Sequence, residues 1–193
     1  ATGVEVSRAC LNTDGTLNYA KLIAYLTSNL SREEVIVNTI KLNEGKSCLI
    51  LSDRLDHLEH MMNWLPAHIR KDAVMVSGKM TTKKGKAERE QAIEDMRTGK
   101  KNYLFATYSL AKEGLDIPRL ERLFLTTPQK DYAVITQSIG RIARTFEGKT
   151  DPIAYDFVDN IGYLVKSYKK RCTTYRKNCL LYTSPSPRDT ERS

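Results

Sequence analysis

Cys48-Leu-Ile-Leu-Ser52 (CLILS) is an unbroken apolar run that ends in a hydroxyl residue. Related runs follow at Ala73–Ser77 (AVMVS), Tyr103–Thr107 (YLFAT), Leu120–Thr126 (LERLFLT) and Ile153–Val158 (IAYDFV). Most are continuously apolar instead of alternating, the pattern of parallel strands covered on both faces. Between them lie amphipathic stretches that predict helices over Arg54–Leu65, Lys84–Thr98, Tyr132–Thr145 and Ile161–Lys177. Upstream, Asn18–Asn29 and Arg32–Leu42 also read as helices, with Ser31 and Glu34 supplying a capping box for the second. The repeated strand–helix–strand order predicts an α/β fold, an open, mostly parallel sheet flanked by helices.

The rest of the chain bounds the class of protein. It has 193 residues, 31 Lys+Arg against 23 Asp+Glu for a net charge of +8, and 40% apolar residues. That length suits one ordinary domain with extensions, and a domain of ~150 residues buries roughly 70% of its unfolded surface without needing disulfides. No window approaches the ~18 apolar residues of a membrane span. Four cysteines form no C-x-x-C pair, so a reducing, cytoplasmic setting is expected. Ala1 opens no secretory signal, and the missing initiator Met is compatible with an N-terminally truncated piece. Cys179–Asp189 (CLLYTSPSPRD) resembles the translation of a transposase sequencing adapter, so 179–193 is set aside as non-native.

Four of the runs exit through small or polar residues: Ser52-Asp53, Ser77-Gly78, Thr107-Tyr108 and Thr126-Thr127-Pro128. Ligands of open parallel sheets gather outside the carboxyl ends of the strands, so a binding surface is expected there. The most informative segment lies beyond the fourth exit, Gln137-Ser-Ile-Gly140-Arg141-Ile-Ala-Arg144. On a regular helix Arg141 lies about 40° from Gln137 and Arg144 about 20° to the other side, with Ile135, Ile139 and Ile142 opposite. One face packs on the sheet and the other presents two guanidiniums and an amide. A solvated basic face is the plain alternative. Against it, no acid lies between Asp131 and Glu147, and Gly140 costs ~1 kcal/mol in a helix unless something approaches closely. Arginine's planar donor fork suits phosphoryl oxygens.

The second segment runs from Leu104-Phe-Ala-Thr107 to Gly114-Leu-Asp116-Ile-Pro118, a strand, a short turn of helix and a rigid exit. Gly114 permits backbone conformations closed to other residues, and Pro118 fixes the chain after Asp116. Asp116 could accept a ribose hydroxyl and Thr107 could bind a nucleic-acid phosphate; a turn with a capping Asp is the other reading.

Together these segments resemble the C-terminal RecA-like motor lobe of superfamily 2 helicases, DEAD/DEAH-type, as found in phages and mobile elements. The resemblance runs from about Asn18 to Lys177. Ile50-Leu-Ser52 is similar to motif IV, and Val76-Ser-Gly78 with Arg89–Gly99 to motif IVa. Ala106-Thr107 through Pro118 is similar to motif V and Gln137 through Arg144 to motif VI. The resemblance implies that Arg141 and Arg144 act catalytically on the ATP γ-phosphate, that Gln137 supports them, and that Gly114 and Asp116 couple nucleotide to the strand track. It implies nucleic-acid contacts at Ser52, Ser77, Gly78 and Thr107. Lys112-Glu113 departs from it, because many relatives carry a basic residue before Gly114.

The expected cofactors are ATP and Mg²⁺, yet the chain lacks the parts that would hold the metal. Gly45-Lys46-Ser47 ends like a P-loop, but Ile40 stands where its first glycine is needed, and no D-E-x-[DH] pair is present. In this family those parts belong to the N-terminal lobe, the expected partner within the same polypeptide. Residues 1–17 then read as linker, 18–160 as the RecA-like domain and 161–178 as a basic helix. That helix carries six cations, including Lys169 and Lys170, and no acid, with Tyr163, Tyr168 and Tyr175 interleaved. Such a pattern fits a phosphate track with stacking tyrosines or, equally, a solvated helix whose tyrosines pack inward. Nucleic acid is the expected partner, DNA ahead of RNA. The rivals are a non-motor nucleic-acid-binding module and a double-strand translocase that does not unwind. His57 and His60, at i and i+3, lack the further ligands a metal site needs.

Overall fold

The computed structural model describes residues 8–129, 131–149 and 151–177. The stretch read as an adapter-derived tail lies outside them. Five strands, β1 (Cys48–Ser52), β2 (Ala73–Val76), β3 (Tyr103–Thr107), β4 (Arg122–Leu125) and β5 (Ile153–Asp156), form one sheet in the order β2-β3-β1-β4-β5. Every pairing is parallel, and Leu49 in the middle strand faces Leu104 on one side and Leu123 on the other.

The unbroken apolar runs resolve into two alternating sets, because successive side chains of a strand point to opposite faces. Leu49, Leu51, Leu104, Ala106, Leu123 and Leu125 face one core, packed by α5 (Lys83–Thr98), α6 (Tyr108–Gly114) and α7 (Tyr132–Ile142). Cys48, Ile50, Tyr103, Phe105 and Phe124 face the other, packed by α2 (Leu30–Lys41) and α3 (Leu55–Trp64), with Ile69 of the short α4 (Ala67–Arg70). Each wholly buried Leu, Ile or Phe contributes about 1.5–3 kcal/mol of transfer free energy.

Two boundaries differ from expectation in ways that matter. Asn29, not Ser31, caps α2: its side chain accepts from the Arg32 amide, and Ser31 lies inside the helix. That earlier start aligns Arg32 with Asp159, after β5, at 2.8 Å in an ion pair with no solvent exposure on either side. The second concerns α7, which ends at Ile142, so Arg144 stands in the turn beyond it instead of on the helical stripe.

Residues 8–17 are folded in the structure. A single helical turn (Arg8–Cys10) and an antiparallel bridge between Leu11 and Leu17 precede α1 (Tyr19–Thr27). Cys10 is buried against Leu22 and Leu26 of α1 and against Ile161 and Leu164. Leu164 belongs to α8 (Gly162–Lys177), so the basic helix and the start of the chain share a small core of their own.

Candidate nucleotide and nucleic-acid interface

Helix α7 is built as its periodicity requires. Val134, Ile135, Ile139 and Ile142 are buried in the core under the sheet, while Gln137 is exposed and Arg141 half-buried. Asp131 caps the helix by accepting from the Ala133 amide and is gripped by Lys112 of α6 at 2.7 Å. The lysine is the main reason the Asp131 carboxyl is held below the usual carboxylate range. Arg141 has its Nε sealed from solvent with no hydrogen-bond partner. A buried guanidinium nitrogen left without an acceptor is costly, which suits a side chain waiting for an anion.

Arg144 does meet an acid, although none lies between Asp131 and Glu147. Its guanidinium is ion-paired to the Asp116 carboxylate. Asp116 is set outward because Leu115 and Ile117 on either side are buried. Its backbone carbonyl accepts from Arg97 Nε at 3.1 Å and Nη2 at 3.0 Å, which fixes the loop. Gly114 is the last residue of α6. The neighbouring Glu113 is taken by Arg89 at 2.9 Å. The four side chains expected at the nucleotide divide into a contacting pair, Arg144 with Asp116, and two residues, Gln137 and Arg141, on the outer part of α7.

Outside the carboxyl ends of β1, β2 and β3 lies a groove of about 910 Å³. Ser77, Gly78 and Thr107 line it together, as the strand exits predicted. Ser52 does not: it is wholly buried beneath, its hydroxyl 3.0 Å from His57 Nδ1 and accepting from the Arg54 amide at 3.1 Å. Asp53 and Arg54, just past the end of β1, line the groove in place of Ser52. Thr107 shares a 2.9 Å hydrogen bond with Ser109, a groove residue that sequence reasoning missed. The signal was present in Thr107-Tyr-Ser109, two hydroxyls flanking a residue that turns inward. Gly78 leaves the way open, since a Cβ there would come only as near as 3.8 Å to the Ser109 hydroxyl. The lining is mixed in charge: Lys79 lies by Gly78, while Asp53, Asp56, Glu59 and Glu113 also face the space.

Lys169 and Lys170 are exposed on α8 and do not line the groove. Arg171, another of the six cations of that helix, turns inward onto Asp156 at 2.8 and 2.9 Å. Tyr175 is buried with its hydroxyl on the same carboxylate, and Tyr168 packs its ring 5.6 Å from the Arg171 guanidinium. For these two tyrosines the inward-packing alternative holds, and Tyr163 remains exposed. His57 and His60 do not converge either, because His60 is bonded to Glu33. Among the described residues no group of His, Cys, Asp or Glu is placed to hold a metal ion, and no helix is long and apolar enough to cross a membrane.

Comparison with known proteins agrees with this architecture. Residues 31–146 match the family described as helicase conserved C-terminal domain. A protein of Sulfolobus islandicus filamentous virus named as a helicase is 27% identical over 153 residues, 79% of this chain and 26% of that protein. Among solved structures, the C-terminal domain of the DEAD-box protein Dbp5 superposes with a TM-score of 0.60 at 21% identity, over 77% of this chain and 82% of that one. S. cerevisiae Dbp5 bound to RNA and ADP BeF3 gives 0.56 at 22% identity, over 76% and 36%. T4 UvsW gives 0.63 at 20% identity, over 82% and 35%. The chain thus spans about a quarter of the viral relative's length. By sheet order, strand-exit groove and sequence match, the chain belongs to the helicase conserved C-terminal domain family, the RecA-like C-terminal lobe of superfamily 2 helicases.

Proposed function

We propose that this lobe is half of an ATP-driven motor that translocates on or unwinds nucleic acid, with ATP held between it and a preceding lobe. The observation that carries this reading is the arginine pair that follows β4, Arg141 with an unpartnered Nε and Arg144 on an exposed Asp116. Because it is exposed, the Arg144–Asp116 pair contributes only about 0–1 kcal/mol. Little is therefore lost when Arg144 exchanges Asp116 for a phosphate in a closed, drier cleft. The exchange has two products: Arg144 on the γ-phosphate, where it stabilises transition-state charge, and an Asp116 carboxylate free to accept a ribose hydroxyl. Gln137, one turn from Arg141, orients the phosphate-facing side. Mg²⁺ would neutralise phosphate charge, and its ligands would come from the preceding lobe.

Nucleic acid would cross the groove on its Gly78–Lys79 and Thr107–Ser109 side, where small residues and hydroxyls admit a phosphate. Asp53, Asp56 and Glu59, which belong to the β1 exit and α3, would repel a phosphate backbone toward that side. Lys169 and Lys170 would attract the strand from a second surface, in a salt-dependent manner. DNA is the first nucleic acid to try and RNA the second.

The test is ATP turnover. The chain alone should turn over negligible ATP. In the full-length protein Arg144→Ala should lower kcat by ~10³ or more. Substantial turnover by the chain alone, or an Arg144→Ala protein as fast as the parent, would overturn the assignment.

A further inference from the structure

Three consecutive backbone carbonyls precede the arginine helix, and each is taken by a side chain from a different element. Thr127 O accepts from the Tyr108 hydroxyl of α6 at 2.9 Å. Pro128 O accepts from the Tyr19 hydroxyl of α1 at 2.7 Å. Gln129 O accepts, at a longer 3.5 Å, from Nη1 of Arg171 in α8. The loop is closed by its own groups as well: Gln129 Oε1 takes the Asp131 amide at 3.0 Å, and Asp131 then caps α7.

These donors are not incidental surface contacts. Tyr108 and Arg171 are each about 3% exposed, and Tyr19 is half-buried. Arg171 is itself clamped by both oxygens of Asp156, which also receives the Tyr175 hydroxyl. Loop carbonyls need hydrogen-bond partners, and here side chains supply them from three directions. The three elements also border the proposed working surfaces. The first, α1, follows the segment through which a preceding lobe would join. Helix α6 opens at the strand exit that lines the groove, and α8 carries Lys169 and Lys170. A rigid shift of any of them pulls on the same three residues and so on the base of α7.

We infer that Tyr19, Tyr108 and Arg171 are positioning residues that set the pose of α7, and hence of Arg141 and Arg144, relative to the elements facing the nucleic acid and the preceding lobe. This inference rests on the motor reading for its consequence but not for its geometry, which allows the two to be tested apart.

Tyr19→Phe and Tyr108→Phe each remove one hydroxyl and keep the ring. In this chain each should accelerate amide hydrogen exchange of 132–142 about fivefold, as loss of one hydrogen bond implies, and the double variant by more than either. Exchange over 83–98, on the same face of the sheet, should stay within about twofold. Equal acceleration of both helices, or none in 132–142, would overturn the inference. In the full-length protein the double variant should lower kcat for ATP about tenfold with KM for ATP within about twofold, because geometry is lost without loss of a nucleotide contact. Arg144→Ala run alongside separates the two ideas. A slow Arg144→Ala enzyme beside an unaffected double tyrosine variant would remove the positioning role and leave the motor standing. A fast Arg144→Ala enzyme would remove the motor reading, with the exchange experiment still deciding the geometry.

Discussion

At Gly140, between Gln137 and Arg141, a Cβ would meet nothing within 4 Å. Among the described residues no neighbour requires glycine there, although glycine in a helix interior costs about 0.5–1 kcal/mol relative to alanine. Gly140→Ala should therefore raise the unfolding free energy of this chain by about 0.5–1 kcal/mol in urea titrations. A loss of stability would show that the backbone here depends on glycine. Open space at this point also fits a face that a second lobe approaches on closure. The same region shows what local reading leaves out. Helical spacing correctly gave the outward face of α7 as far as Gln137 and Arg141 and a helix without acids, but Arg144 falls beyond the helix end. Asp116 nevertheless reaches Arg144 from the loop after α6, because Leu115 and Ile117 bury themselves and thrust it outward. Sequence proximity carries no record of such a meeting.

Among the elements, α2 offers the sharpest contrast between two capping signals. Asn29 and Ser31 both precede helix-forming sequence, and only the Asn29 side-chain oxygen accepts from an orphan amide, that of Arg32. The choice is tertiary: starting at Leu30 leaves that leucine exposed but brings Arg32 to Asp159 and turns Ile36, Val37 and Ile40 to the sheet. Asn29→Ala should cost about 1 kcal/mol and Ser31→Ala less than about 0.5; the reverse order in thermal melts would restore the capping box. Strands were the most legible elements, since five apolar runs became five strands with ends moved by a few residues. The end of α7 was not legible, because Ala143 and Arg144 are good helix formers and only the pull of Asp116 and the following turn marks the stop. Helix α8 was legible as a basic helix, but which cations face inward depended on Asp156, a residue on another element.

For the molecule as a whole, acid stability is set partly by His57. It is buried in α3 against Ser52, and burial, with the Arg32 guanidinium adding to it, pushes its pKa down to about 3. Unfolded histidine titrates near ~6.5. Above that pH neither state holds the proton and stability is complete; as pH falls toward about 3 the unfolded chain takes up a proton that the folded one refuses. Stability then drops by up to ~1.4 kcal/mol per pH unit. The buried carboxyl of Glu33 is pushed upward and acts in the opposite sense, so the two must be separated by substitution. Unfolding free energies at pH 7 and pH 5 should differ less in His57→Gln than in the parent, by up to ~2 kcal/mol. Identical differences in the two proteins would place the proton elsewhere.

The strand order has a consequence for synthesis. Strand β1 occupies the centre of the sheet, yet both neighbours, β3 and β4, are encoded after it, with β3 closing at Thr107 and β4 at Leu125. At ribosomal speeds of about 5–20 residues per second, its apolar residues emerge roughly 3–10 s before the first of those neighbours is complete. During that interval Cys48–Leu51 is a naked, sticky segment on the nascent chain, a natural client for a chaperone waiting at the exit tunnel.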